Sequence, residues 1–249
     1  MRKLPDDLLH IQKNWDELGK TDPLYAISTL KGKEGGKWDI QEFFQRGYDD
    51  IKDIMSQIDL LNLKISHNKA LDFGCGVGRV TQPLANYFNN VDGVDISPSM
   101  IELAKTYNKF GDKVKYYQNN TSSLSIFNDN SYDFIYSTEV LQHMQPKYQQ
   151  DYLIEFLRIL SPLGLLVFQL PSEPLKLNKK IMMLIQKSKF FNKIYLKLRN
   201  RSIMALMEYH CNPRKNVETI LLANGAKHVY AIRDKRDSII SYNYFVTKY

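Results

Sequence analysis

The stretch NKALDFGCGVGRVTQPLANYF, residues 68–88, is the feature that most constrains the fold. A short apolar run from Asn68 to Phe73 opens into glycines at alternate positions, Gly74, Gly76 and Gly78. Apolar residues from Val77 to Phe88 then recur at helical spacing, which predicts strand, glycine turn and helix. The alternation continues downstream. VDGVDI, Val91 to Ile96, reads as a strand ending at Asp95, and SPSMIELAKTYNKF starts a helix with Ser97 as cap and Pro98 in the first position. VKYYQ and YDFIYS are two further strands, and KYQQDYLIEFLRIL is an amphipathic helix stopped by Ser161-Pro162 before the strand LGLLVFQL. Strands and helices alternating over about residues 68 to 170 predict a doubly wound, mostly parallel α/β sheet.

The two ends of the chain depart from that pattern. NPRKNVETILLANGA predicts a helix capped by Asn212, with Pro213 in its first turn and Gly225 as its stop. KHVYAIR and SIISYNYFVTK are strand-like runs joined by DKRD with no helix between them, so the last strand is expected to be antiparallel. The first 67 residues lack a strand pattern. Within them WDIQEFFQRGYDDIKDIMSQIDLL reads as a helix, and TDPLYAISTLKGKEGGK as a loop. Residues 1–67 are thus expected to form either a helical lid over the sheet or a packing extension, with 68–249 as the main domain.

Composition narrows the function classes. Two cysteines, Cys75 and Cys211, cannot form a disulfide framework, and no Cys/His spacing suggests zinc, so no metal is expected. MRKLPDDLLH lacks the apolar core of a signal peptide, and no run nears the ~18 apolar residues of a membrane span. A cytoplasmic protein is the expectation. The net charge of +7 is local: nine Lys/Arg and no acidic residue lie between Glu173 and Glu208, leaving 25 basic against 27 acidic residues elsewhere.

In an open α/β sheet, ligands bind at the carboxyl ends of the strands, at the switch in strand order. Bare backbone at Gly74–Gly78, N–H groups of the following helix and a carboxylate at Asp95 suit a ribose-bearing cofactor. Both a dinucleotide and S-adenosylmethionine use this arrangement. The spacing separates them: a dinucleotide site has G-x-G-x-x-G, whereas this chain has G-x-G-x-G preceded by Asp72. A carboxylate before the turn is a poor neighbour for a pyrophosphate and suits the ammonium of an amino acid.

On these residues the chain resembles the class I S-adenosylmethionine-dependent methyltransferases, closely over about residues 68–171 and in layout from Asn212 onward. LDFGCGVGR is similar to that family's first motif, VDGVDISPSMIELAK to its second and SYDFIYSTEVLQHM to its strand-four motif. The resemblance implies a Rossmann-like, seven-stranded sheet with an antiparallel last strand and S-adenosylmethionine as cofactor. It implies a cofactor site of Asp72, Gly74, Gly76, Gly78, Arg79, Asp95, Ile96, Ser97, Met100, Asn120 and Thr121. Asp95 would hold the ribose, and Ile96 and Met100 would flank the adenine. Asn120 stands where the family often has an acidic residue, and its amide oxygen can still accept from the adenine amino group. The leader from NWDELGKTDPLYAIST through GKWDIQEFF is similar to that of small-molecule methyltransferases.

Methyl transfer needs an acceptor atom in line with the methyl group and sometimes a base. His143, after the fourth strand, is the first candidate base, with a helix turn packed under the cofactor as the competing reading. His210 in EYHCNP is the second, with a packing role before the next helix as its alternative. Tyr209, Trp38 and Phe44 are candidates for the substrate pocket, against the plainer reading of core aromatics. The basic segment 176–201 reads as a lid, as an anionic-substrate contact or as a peripheral membrane surface. A small-molecule acceptor is favoured over nucleic acid, because STEV replaces the D/N-P-P-aromatic motif of base-amino methylation and no RNA-binding module is present. RNA methylation, hydride transfer and a non-catalytic cofactor-binding subunit are the rivals. Neither the acceptor nor the oligomeric state is fixed by these residues.

Overall fold

The computed structural model describes residues 5–174, 207–234 and 239–248. Three helices, α1 (Asp6–Thr21), α2 (Pro23–Ile27) and α3 (Ile40–Leu60), precede the first strand, β1 (Lys69–Phe73). Then follow α4 (Thr81–Leu84), β2 (Asn90–Asp95), α5 (Pro98–Tyr107), β3 (Val114–Gln118) and β4 (Tyr132–Ser137). A single 3₁₀ turn at Leu141–His143 leads into α6 (Pro146–Ile159), β5 (Leu160–Pro174), α7 (Arg214–Ala223), β6 (His228–Asp234) and β7 (Ile239–Thr247).

The seven strands form one sheet in the order β3-β2-β1-β4-β5-β7-β6. The pairs among β3, β2, β1, β4 and β5 are parallel, and β7 inserts antiparallel between β5 and β6. Strand order reverses at β1 and β4, so the expected ligand crevice opens at their carboxyl ends.

Both faces of the central strands β1, β2, β4 and β5 are covered and their residues are almost continuously buried, whereas the outer strands β3 and β6 are partly exposed. On one face Leu71, Phe73, Ile135, Leu166 and Phe168 pack against α6 and α7, together with Leu8 and Ile11 of α1. On the other Ala70, Phe134, Tyr136, Val167 and Phe245 meet Ile51, Ile54, Met55 and Ile58 of α3, and Ile101 and Ala104 of α5. A third cluster, Leu18, Tyr25, Ala26, Trp38, Phe43 and Phe44, joins the first three helices to Val77 and Met100 of the body. Residues 5–60 are thus part of the fold's layering, and α1 crosses the carboxyl ends of the strands.

Several expectations change in detail. The helix predicted over Val77–Phe88 is only the four-residue α4, because left-handed Gly78 (φ +84°) keeps the chain turning before it and the N–H groups of Ala85, Asn86 and Tyr87 bond carbonyls three residues back, not four. A helix that short offers no anion-binding terminus. The Ser161-Pro162 stop is absorbed into β5, whose pairing with β4 jumps from Tyr132↔Leu160 to Phe134↔Leu165 through a bulge. Asn212 does not cap α7; the helix starts at Arg214 behind Pro213, and the Asn212 side chain bonds elsewhere. α3 begins at Ile40, because the Asp39 carboxylate accepts from Glu42 N at 2.8 Å. The segment containing α1 drew no helix prediction, although Leu8, Ile11, Trp15 and Leu18 carry an amphipathic spacing. The DKRD turn at 235–238 lies outside the described residues.

Gly47 shows how tightly α3 seats on the glycine turn. A Cβ there would fall well inside contact distance of the Arg79 carbonyl oxygen. Helix propensity alone favours Gly47→Ala by ~1 kcal/mol. The contact predicts the opposite sign, a loss of ~1–3 kcal/mol from overpacking, read as a lower midpoint in urea unfolding.

Candidate functional site

The turn after β1 carries the strongest local constraint. Gly74, Gly76 and Gly78 have φ of +76°, +52° and +84°, a region that favours glycine. Their missing side chains also make room for the protein itself. A Cβ on Gly74 would collide with Val140, one on Gly76 would lie 2.6 Å from Ile27, and one on Gly78 would collide with Tyr116. The bare backbone therefore gathers the loop after β4, the helix α2 and the strand β3 around one turn.

Asp95, the last residue of β2, faces that turn. Its carboxylate accepts from Gly76 N at 2.9 Å and from Ser97 N at 2.8 Å, one bond to each oxygen. Each oxygen keeps lone-pair capacity for another donor, so the pair can receive two neighbouring hydroxyls. Burial holds the Asp95 carboxyl above its ordinary value, with the Ser97 and Gly76 N–H bonds opposing. Ser97 itself caps α5, its hydroxyl accepting from Met100 N at 3.3 Å, and Met100 is buried.

Asp72 lies beneath the turn, 1% exposed, accepting from the Thr81 hydroxyl at 2.5 Å. Burial pushes its carboxyl up to about 7, against the Thr81 bond and the Arg79 charge and reinforced by nearby Asp95. Arg79 itself is mostly buried and forms an ion pair with Asp50 of α3 at 2.5 Å. A buried carboxyl of this kind favours a cation beside it and disfavours an anion.

Asn120 is exposed, and its amide oxygen accepts from Gln12 Nε2 of α1 at 3.1 Å. The same Gln12 nitrogen donates to Ile96 O at 3.1 Å. It is Asn119, next to it, that is buried, bracing the loop through Thr121 O and Ser123 O. The Thr121 hydroxyl is likewise spent within that loop, on Asn119 and Ser123 O. Trp38 and Phe44 are packed in the cluster of the first three helices, where Trp38 Nε1 donates to Ser28 O and Phe44 meets Tyr107 edge-on. Both side chains are buried against packing partners in that cluster.

A second group gathers around His143. Its Nδ1 lies 2.7 Å from Glu208 O, and a carbonyl only accepts, so Nδ1 carries the hydrogen. Nε2 then holds a lone pair, 3.3 Å from the Gln142 side-chain nitrogen. Burial holds the His143 pKa below the ordinary value, against the Glu208 carbonyl and the Glu139 charge, so the ring is neutral at pH 7. Trp15 of α1 meets it edge-on at 5.1 Å between centroids, and Tyr209 at 6.2 Å. His210 Nε2 lies 3.1 Å from the Glu208 carboxylate, a bond that lowers the Glu208 pKa. Sequence reasoning had no signal for Gln12, Trp15, Gln142 or Glu208, which reach the site only through the fold.

At the same end of the sheet, Ser137 Oγ and Gln142 Oε1 are buried with no hydrogen-bond partner among the described residues. Such atoms cost ~1–3 kcal/mol each until something bonds them, and a ligand at the ends of β1 and β4 would do so. The basic segment 176–201 lies outside the described residues. Among the described residues no group of three or more His, Cys, Asp or Glu is placed to hold a metal, and no helix is long and apolar enough to cross a membrane.

Comparison with known proteins agrees with this geometry. Residues 71–168 match the family described as "Methyltransferase domain". Curated relatives include the ubiquinone biosynthesis O-methyltransferase of Rickettsia typhi, 32% identical over 118 residues that make up 47% of this chain and 46% of that one. The protein of the same name from Roseobacter denitrificans is 26% identical over 158 residues, 61% of this chain and 56% of that one. The chain thus spans about half the length of the curated relatives it matches. Among solved structures, magnesium protoporphyrin IX methyltransferase from Synechocystis, with bound S-adenosylhomocysteine, superposes with a TM-score of 0.65 at 17% identity, covering 97% of this chain and 100% of that one. Phosphoethanolamine N-methyltransferase 2 of Haemonchus contortus does so at 0.63 and 15%, covering 96% and 60%. At these identities the likeness is one of fold.

The raised Asp72 carboxyl fixes a pH dependence. Between its unfolded value of 3.8 and about 7 the unfolded chain releases a proton that the native state holds, so stability falls as pH rises through that window. Above about 7 both states are ionised and the penalty is complete. Asp72→Asn should therefore raise the unfolding free energy at pH 8 by a few kcal/mol more than at pH 4, as read by urea unfolding at the two pH values. An equal effect at both would show that Asp72 is not held protonated.

Proposed function

We propose that this chain, whose residues 71–168 match a methyltransferase domain, binds S-adenosylmethionine and transfers its methyl group to a small-molecule acceptor. The single observation that carries the reading is Asp95, a carboxylate aimed by Gly76 N–H and Ser97 N–H at the crevice where strand order reverses. Asp72 supports this cofactor over a dinucleotide: a pyrophosphate beside a buried carboxyl would raise its pKa further, whereas an ammonium relieves it. The relatives' names support oxygen as the acceptor atom, ahead of nitrogen or carbon. Both cysteines are free thiols, which accords with a cytoplasmic setting.

When bound, S-adenosylmethionine supplies a methyl group made electrophilic by its sulfonium. The residues of the chain supply placement and proton handling. Asp95 would hold the two ribose hydroxyls and Asp72 the amino group, directly or through water. Ile96 and Met100 would border the adenine, with Asn120 at its edge. Gln12, by joining Ile96 to Asn120, draws α1 down as a roof that excludes water. His143 is the proposed base: neutral, with its hydrogen fixed on Nδ1, it offers Nε2 to take the proton of an acceptor hydroxyl that displaces the Gln142 amide N–H from that nitrogen. His210 bonds Glu208 and borders the same group, so its role is to shape the acceptor side. Tyr209 would line that side.

The test is methyl-labelled S-adenosylmethionine supplied with a small-molecule extract and, separately, total RNA. Label in the small-molecule fraction is expected, and label in RNA alone would replace this reading with RNA methylation. Asp95→Ala should weaken cofactor binding by tenfold or more in calorimetric titration while NADH stays silent. His143→Gln should lower turnover ~100-fold or more with cofactor affinity unchanged. If the ammonium sits beside Asp72, binding ionises that carboxyl and releases a proton. Affinity should then rise with pH up to about 7, by as much as ~tenfold per unit, and level off. Calorimetry at pH 6.5 in two buffers of different ionisation enthalpy reads the released proton directly.

A further inference from the structure

His143 sits on a short turn, and what holds that turn is not part of the cofactor site. Gln149, on the first turn of α6, is fully buried. Its amide nitrogen donates to Leu141 O and to Met144 O, both at 3.0 Å, so one side chain closes the turn on either side of His143. Its amide oxygen accepts from Asn212 Nδ2 at 3.1 Å. Asn212, 2% exposed, donates its backbone N–H to Pro171 O at 2.9 Å and accepts from Asn216 Nδ2 at 2.7 Å. The chain of amides therefore runs from α7 through Asn212 and Gln149 to the carbonyls flanking His143.

The segment from Glu208 to Asn212 is laid along the same turn. His210 N donates to Gln142 O at 2.7 Å, and Glu208 O accepts the His143 Nδ1 hydrogen. The carbonyl that fixes the tautomer of His143 thus belongs to a strap whose far end is pinned by Asn212 to Gln149. Gln149 touches both parts, the turn and the strap. A buried amide whose donors and acceptor are all engaged is a rigid joint, because each lost bond leaves a buried polar group unpaired.

We infer that Gln149 and Asn212 are positioning residues for His143: the amide pair clamps the 141–144 turn to the 208–212 strap and so keeps the imidazole hydrogen on Nδ1 and the lone pair on Nε2. Neither residue touches the expected place of cofactor or acceptor. The inference rests on the reading of His143 as base for its functional meaning. The geometry it predicts can be measured whether or not that reading holds.

Nitrogen-15 NMR of the whole chain reads the ring state directly, with His143 assigned among the five histidines by single replacement. In the unsubstituted protein His143 should show one protonated-type nitrogen at Nδ1 and one bare-type nitrogen at Nε2. The Gln149 side-chain amide protons should exchange slowly with solvent. Gln149→Met keeps length and removes all three bonds, and Asn212→Ser removes the link between Gln149 and the strap together with the bond to Asn216. Either variant, if folded by its thermal melt, should lose the fixed tautomer, the two nitrogen signals moving toward an exchange-averaged pair. An unchanged His143 spectrum in a folded variant overturns the inference, because a merely structural role lowers the melt without moving the ring. Fast exchange of the Gln149 amide protons in the unsubstituted protein overturns it without any variant. Loss of turnover in His143→Gln tests the base and not the clamp, so the two readings fail separately.

Discussion

The left-handed backbone of Gly74, Gly76 and Gly78 is the constraint on which the rest of the structure depends. It brings the Gly76 N–H to Asp95 and so ties the ends of β1 and β2. It also accepts Val140, Ile27 and Tyr116 where side chains would otherwise stand. Val140 belongs to the loop that carries His143, Ile27 to α2 and Tyr116 to β3, so one turn fixes three segments distant in sequence. A Cβ at any of the three positions combines backbone strain with a steric clash, and either costs on the order of 1–3 kcal/mol.

The roof follows from that base. Gln12, Trp15 and Asp16 lie within about one turn of α1 and address three different parts of the body. Gln12 bonds Ile96 O and Asn120, Trp15 meets the His143 ring, and Asp16 accepts from Ser99 N at the start of α5. Beneath them Leu8, Ile11 and Leu18 are buried, each worth ~1.5–3 kcal/mol of apolar burial. That burial keeps the polar contacts in register, since exposed hydrogen bonds alone would not hold a helix across the strand ends. The cofactor side and the acceptor side of the site are thus joined through one helix.

The sheet was legible because its residues obey local rules. Period, cap and turn chemistry placed β1 to β4, α6 and the start of α5 to within a residue or two, and the run without a helix between its strands gave the antiparallel β7. The failures have two causes. Ser161-Pro162 is punctuation that tertiary pairing overrides, so β5 begins early, and α4 ends early because the chain after it turns through three-residue hydrogen bonds. At the site, Asp72 and Asp95 were legible from their places beside glycine turn and strand end. Gln12, Trp15, Gln142, Gln149 and Glu208 were not, because a glutamine or a tryptophan on an amphipathic helix has no local feature that says which loop it will meet.

Sequence alone determined the glycine turn, the carboxylates on either side of it and the succession of strands and helices along the chain from β1 to β5, since each depends on neighbours within a few residues. Only the tertiary structure decided that Asp72 would be buried enough to hold its proton near neutrality, that Asn120 would be drawn to Gln12, and that Trp38 and Phe44 would pack in the cluster of the first three helices. It likewise decided the tautomer of His143, which depends on the carbonyl of a residue 65 positions away. The physical reason is the same throughout. Conformational preference is written in local sequence, whereas desolvation and hydrogen-bond partnership depend on what the fold brings alongside.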